Sequence, residues 1–156
     1  MDPVTIIVAA LAAGATAGMS SIAEDSIKDA YAAAKQWLQG RYADISLKNL
    51  EKDPKSPNRR GVLAEELAEA GAGQDAELLV KVQALNKALA KSEEGRRAAE
   101  VVGVKIDELV VKGDAIIADI ASSGSGVVIQ KGEIGGSLEI RGVRAGDPKA
   151  DDQPNP

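Results

Sequence analysis

The chain has 156 residues and no Cys or His, which excludes disulfides, thiolate or imidazole metal sites, Cys nucleophiles and any general base built on His. Hydrophobic residues make up 44% of the sequence and aromatics only 2%, with no Phe, so a core must be assembled from Ala, Val, Ile and Leu. A net charge of −5 and a pI near 4.9 argue against a nucleic-acid partner and leave any membrane contact to apolar burial.

Composition changes along the chain. Residues 1–100 are rich in Ala, Leu, Glu and Lys, residues 101–146 in Val, Ile and Gly, and residues 147–156 form a polar tail. The expected fold is mainly α: a four-helix bundle over 1–100, a Gly-punctuated β segment (β-arc or β-solenoid, amyloid-forming) over 101–146, and a disordered tail over 147–156.

Asp2-Pro3 supplies an N-cap and a Pro at the first helical position, and an apolar helix over 4–18 follows without a charge. Ser21-Ile22-Ala23-Glu24 fits a capping box for a second helix, in which Ile27, Tyr31, Ala34, Leu38 and Tyr42 recur at helical spacing. Ser46 is placed to cap a short turn through Leu50. The Asp53–Asn58 loop ends by capping a third helix, whose Leu63, Leu67 and Ala70 share a face until Gly71-Ala72-Gly73. Asp75 then caps a fourth helix with Leu78, Leu79, Val82, Leu85 and Leu89 inward.

The first helix has two readings. As a helix, Val4–Gly18 spans about 22 Å, short of the roughly 30 Å hydrocarbon core, and its start lacks the positive region of a signal peptide. One reading makes it the buried central helix of the bundle. The other makes it a segment buried at rest and released to insert into a bilayer as an oligomer, with Ala10, Ala13, Gly14, Ala17 and Gly18 permitting close packing.

In the C-terminal unit, short apolar stretches are separated by single or paired glycines, which favours β-arcs over hairpins. Val111–Ile120 aligns with Ile134–Val143 as a weak pseudo-repeat, of the kind two stacked rungs produce. About 45 residues of such structure bury little core and leave open edges. Stacking of copies resolves this, with a Gln130 ladder along the fibre; a small closed β domain is the other solution.

The N-terminal Met-Asp-Pro-Val-Thr-Ile-Ile-Val-Ala-Ala-Leu-Ala-Ala-Gly helix on a small bundle, followed by Gln130-Lys131-Gly132-Glu133-Ile134-Gly135-Gly136, resembles bacterial Bell-domain proteins with a C-terminal amyloid signalling motif. Ile129-Gln130-Lys131-Gly132 is also similar to the core of the RHIM necroptosis motif, Lys131 departing at the third position. Bell domains in turn resemble fungal HeLo domains and the four-helix executioner of necroptosis. The resemblance implies a programmed-cell-death, antiphage-defence effector, cytoplasmic at rest and at the inner membrane once active. An NLR-type sensor with a matching motif would template its amyloid, and the clustered bundles would permeabilise the membrane. On this chain Val4, Ile6, Ile7, Val8, Leu11 and Gly14 would insert, while Val128, Ile129, Gln130, Gly132, Ile134, Gly136, Leu138 and Ile140 would form a homo-oligomeric fibril core within 101–146.

Two further classes compete. A structural polymer of the bactofilin type would use the glycine-spaced Val/Ile rungs for polymerisation and the first helix as an anchor. An enzyme would have to rest on Asp25, Asp29, Asp114, Asp119 and Glu133, without a phosphate loop or metal-ligand spacing, so no catalytic residue, cofactor or metal is expected.

Overall fold

The computed structural model describes residues 2–20 and 24–122. Among them are seven α-helices: α1 (Pro3–Gly18), α2 (Asp25–Arg41), α3 (Lys48–Lys52), α4 (Pro57–Glu69), α5 (Ala76–Ala90), α6 (Glu93–Val101) and α7 (Ile106–Ile120). A 3-10 turn over Ala72–Gln74 precedes α5, and there is no strand among the described residues.

Side-chain caps set four of the helix starts. Asp2 Oδ1 accepts the Thr5 N–H at 2.8 Å ahead of α1, and Ser56 Oγ accepts that of Arg59 at 3.3 Å ahead of α4. Asp75 Oδ1 takes Leu78 N–H at 3.1 Å, and Ser92 Oγ takes Gly95 N–H at 2.9 Å. Each satisfies a donor that the first helical turn would otherwise leave open. Pro57, like Pro3, occupies the first turn, where its missing N–H costs nothing. Glu24 begins α2 without a side-chain cap, and Ser21 of the expected capping box lies outside the described residues. Gly103, at φ 84°, turns the chain between α6 and α7 in a conformation that disfavours a side chain.

The core is organised around α1. Every other described helix, and the 3-10 turn, packs against it. All residues from Ile6 to Ala15, with Ala17, are buried. Leu38 of α2, Leu50 of α3, Leu63 and Leu67 of α4, Leu78, Leu85 and Leu89 of α5 and Leu109 of α7 complete the core. The abundance of Ala along α1 explains the enclosure: small side chains on all sides let neighbouring backbones approach closely.

Two further close approaches fix the sheath. A Cβ on Gly95 would collide with the backbone carbonyl of Leu89, at the tight turn from α5 to α6, and one on Gly113 would collide with the Gln83 amide where α7 crosses α5. Gln83 bridges that crossing, donating to the Val110 carbonyl at 2.7 Å and to Asp114 Oδ1 at 2.9 Å.

The structure corrects the expectation of β structure from residue 101. Val101 ends α6, and Ile106–Ile120 is helical and part of the bundle. Ile106, Leu109 and Gly113 are buried and Ile116, Ile117 and Ile120 partly buried, at helical spacing, so period prevailed over the β preference of Val and Ile. Val111–Ile120, read as one rung of a pseudo-repeat, lies in α7. The bundle thus has more helices than the four expected and extends past residue 100. The rest of the expected β segment, 123–146, and the tail lie outside the described residues.

Candidate functional site: the enclosed first helix

The unusual feature of the fold is an uncharged helix that occupies the middle of the molecule. Four of its large side chains, Ile6, Ile7, Val8 and Leu11, are at most 6% exposed. At about 1.5–3 kcal/mol for each, their burial contributes about 6–12 kcal/mol. A domain's entire stability is only about 5–15 kcal/mol. The bundle therefore cannot lose α1 and stay folded, and α1 cannot leave unless another apolar phase receives it.

Polar clasps outside the apolar core hold the sheath closed. On the flank of α1's second half, Tyr31 of α2 donates to Glu51 Oε2 of α3 at 2.7 Å, and Lys35 donates to the same oxygen at 2.9 Å. Burial, then the hydrogen bond to Glu51, raises the Tyr31 hydroxyl above the ordinary tyrosine range. Burial pushes Glu51 upward too, but the Lys35 and Tyr31 hydrogen bonds and the Lys35 charge outweigh it, and the carboxyl ends below its usual value.

Near the first turn of α1 the clasp is Asp75. Its Oδ2 accepts from Trp37 Nε1 at 3.0 Å and Tyr42 OH at 2.7 Å, joining the end of α2 to the start of α5, and Arg41 Nε stands 3.4 Å away. Burial raises Asp75, and these donors with the Leu78 N–H more than reverse it, so its carboxyl also lies low. Asp2 is lowered chiefly by the Thr5 N–H that it caps. Two residues before Asp75, Gly73 meets the start of α1: a Cβ there would stand 3.2 Å from Val4 Cγ2 and 3.5 Å from Pro3 Cβ.

Of the expected inserting residues, Ile6, Ile7, Val8, Leu11 and Gly14 are buried and Val4 is partly buried at the edge of the core. The structure brings all six together in one enclosed helix. The expected amyloid core, Val128 to Ile140, lies outside the described residues. The basic residues Lys48, Lys52, Lys55, Arg59 and Arg60 form a run that is partly structural: Arg59 binds Asn49 Oδ1 at 2.7 Å, and Arg60 donates to the Val102 carbonyl at 2.7 Å, tying α4 to α6. The Asp75–Trp37–Tyr42 clasp was legible only as a helix cap, because its partners are more than 30 residues away.

Among the described residues no helix is long and apolar enough to cross a membrane. The class defined by this arrangement is an α-helical bundle wrapped around an uncharged N-terminal helix. Residues 1–146 match the Het-E N-terminal domain family, and the chain belongs to that family. The family is HeLo-like, and its members are cell-death and incompatibility effector domains. No curated protein and no solved structure matches the chain.

Proposed function

We propose that this chain is a non-enzymatic bacterial cell-death effector that permeabilises the inner membrane with α1, under the control of an amyloid signalling motif within 123–146. The observation that carries the proposal is the enclosure of α1 by all the other described helices. A standing anchor, as a bactofilin-type polymer requires, would not be buried in its own domain. The 16 helical residues of α1 reach about 24 Å, but the 21 residues from Pro3 to Ala23 carry no charge and as one helix would reach about 31 Å, matching a hydrocarbon core of about 30 Å. Only a helix extended through that uncharged run would be of bilayer length, and a bilayer is an apolar phase able to compensate the burial lost when α1 leaves the bundle.

In this reading an NLR-type sensor templates the Val128–Ile140 segment, and fibre growth concentrates many bundles at one place. Linking raises the effective concentration of weak membrane-binding units by orders of magnitude. The test is dye release from vesicles by the full chain, with and without preformed fibre seeds. Seeds should accelerate release, and Gln130→Pro or Gly132→Pro should remove that acceleration while the helical circular-dichroism signal persists. Undiminished seeded release from both variants would overturn templating, and no release from the seeded wild type would overturn the membrane reading.

A further inference from the structure

We propose that the patch formed by Trp37, Tyr42, Arg41 and Lys81 docks the resting bundle onto an anionic phospholipid surface, with the first turn of α1 facing the bilayer. The proposal rests on the membrane reading above and adds which surface meets the lipid.

Of the chain's three aromatic residues, Tyr31 and Trp37 lie on α2 and Tyr42 is its C-cap, so that Trp37 and Tyr42 both belong to its C-terminal end. Both are only partly buried: each directs its polar group to Asp75 and packs against the edge of the core, and the rest of each side chain stays accessible. Aromatic side chains with an apolar body and a polar tip favour the interface between hydrocarbon and headgroup. The Arg41 guanidinium carbon stands 5.7 Å from the Trp37 ring centroid and the Lys81 ammonium 5.5 Å from it. Arg41, paired with Asp75 at 3.4 Å, is 60% exposed, and Lys81 has no carboxylate among the described residues within ion-pairing distance, in contrast to the paired Lys35, Lys87 and Lys112. Two cations beside one indole thus offer phosphate contacts at the depth where the ring would sit. The patch is also next to the element to be delivered. Asp75, which holds both aromatics, lies two residues from Gly73, which touches Pro3 and Val4.

Trp37 is the sole tryptophan, so its fluorescence reports this patch without labelling. The experiment mixes the unseeded full chain with phosphatidylcholine vesicles with or without phosphatidylglycerol, and measures the Trp37 emission shift together with seeded dye release. A blue shift with the anionic vesicles is expected. Lys81→Glu should weaken partitioning about 30-fold, as reversal of one charge at the lipid surface implies. The paired substitution Lys52→Glu, Lys55→Glu, in the basic run outside the patch, should leave partitioning unchanged. An unshifted Trp37 spectrum while seeded release proceeds would overturn the patch and leave the effector reading standing. Loss of partitioning in the Lys52, Lys55 variant but not in Lys81→Glu would also overturn it. A Trp37 shift without any seeded release would support the patch and overturn the effector reading.

Discussion

Gly14 of α1 lies directly against Tyr31 of α2: a Cβ at Gly14 would stand 2.8 Å from Tyr31 Cδ1, with Leu85 Cδ2 of α5 at 3.0 Å. The ring cannot swing freely away, because its hydroxyl is held by Glu51. One glycine thus sets how closely α2 and α5 close over the central helix.

Gly14→Val should overpack this contact and destabilise the bundle by about 1–3 kcal/mol, measured by denaturant unfolding. If stored α1 is the active element, the same variant should release dye from vesicles faster than wild type without seeds.

Gly95→Ala should cost more than Gly14→Ala. At Gly14 the obstacles are side chains, whereas at Gly95 the new methyl group meets the Leu89 backbone, which moves only if the turn between α5 and α6 opens. Comparison of the two midpoints in urea checks the order.

Asp75→Ala should destabilise by about 2–4 kcal/mol. Loss of an N-cap costs about 1 kcal/mol, and the two partly buried donors left without their acceptor, Trp37 Nε1 and Tyr42 OH, together add about 1–3 kcal/mol because water can reach them in part. Asp75→Asn retains an acceptor oxygen and should cost less. Thermal unfolding monitored by Trp37 emission distinguishes the two.

Stability should fall at both pH extremes for separate reasons. Glu51, Asp75 and Asp2 have carboxyls lowered in the folded state, so the unfolded chain binds more protons and their contribution is lost as pH falls below the ordinary values of 4.5 for Glu51 and 3.8 for Asp75 and Asp2. Tyr31 is raised, so its contribution is present below pH 10.0 and lost as pH rises beyond it. Tyr42, raised by burial and its hydrogen bond to Asp75, acts in the same direction, so Tyr31→Phe should reduce but not abolish the alkaline limb and leave most of the acid limb, in unfolding free energy measured against pH.

Caps and apolar periods agree for α1 and α5, where Asp2, Asp75 and the Leu78–Leu89 stripe each name an element that forms; α2 follows its apolar period without a side-chain cap, and α4 starts at Pro57 behind Ser56, inside the loop expected to run to Asn58. Ser92 followed by Glu93 and Glu94 is an N-terminal signature for α6, but its buried face consists only of Gly95, Ala98 and Ala99, small residues that give little apolar signal. The misreading of α7 had a physical source. Val110-Val111 and Ile116-Ile117 suggest a strand by composition, while burial every third or fourth residue, from Ile106 through Leu109 to Gly113, marks a helix against α5. At the site, an uncharged α1 could be read directly, but its clasps could not, since Tyr31–Glu51 and Trp37–Asp75 join residues distant in sequence.

The central claim, that α1 must leave the bundle to act, is tested most directly by tying it in place. A Cβ on Gly73 would lie 3.5 Å from Pro3 Cβ, within the range a disulfide requires, and the chain has no other cysteine to interfere. Seeded dye release by the Pro3→Cys, Gly73→Cys chain should be absent when the bond is oxidised and return to the wild-type rate on reduction. Equal release from the oxidised and reduced forms would contradict the account.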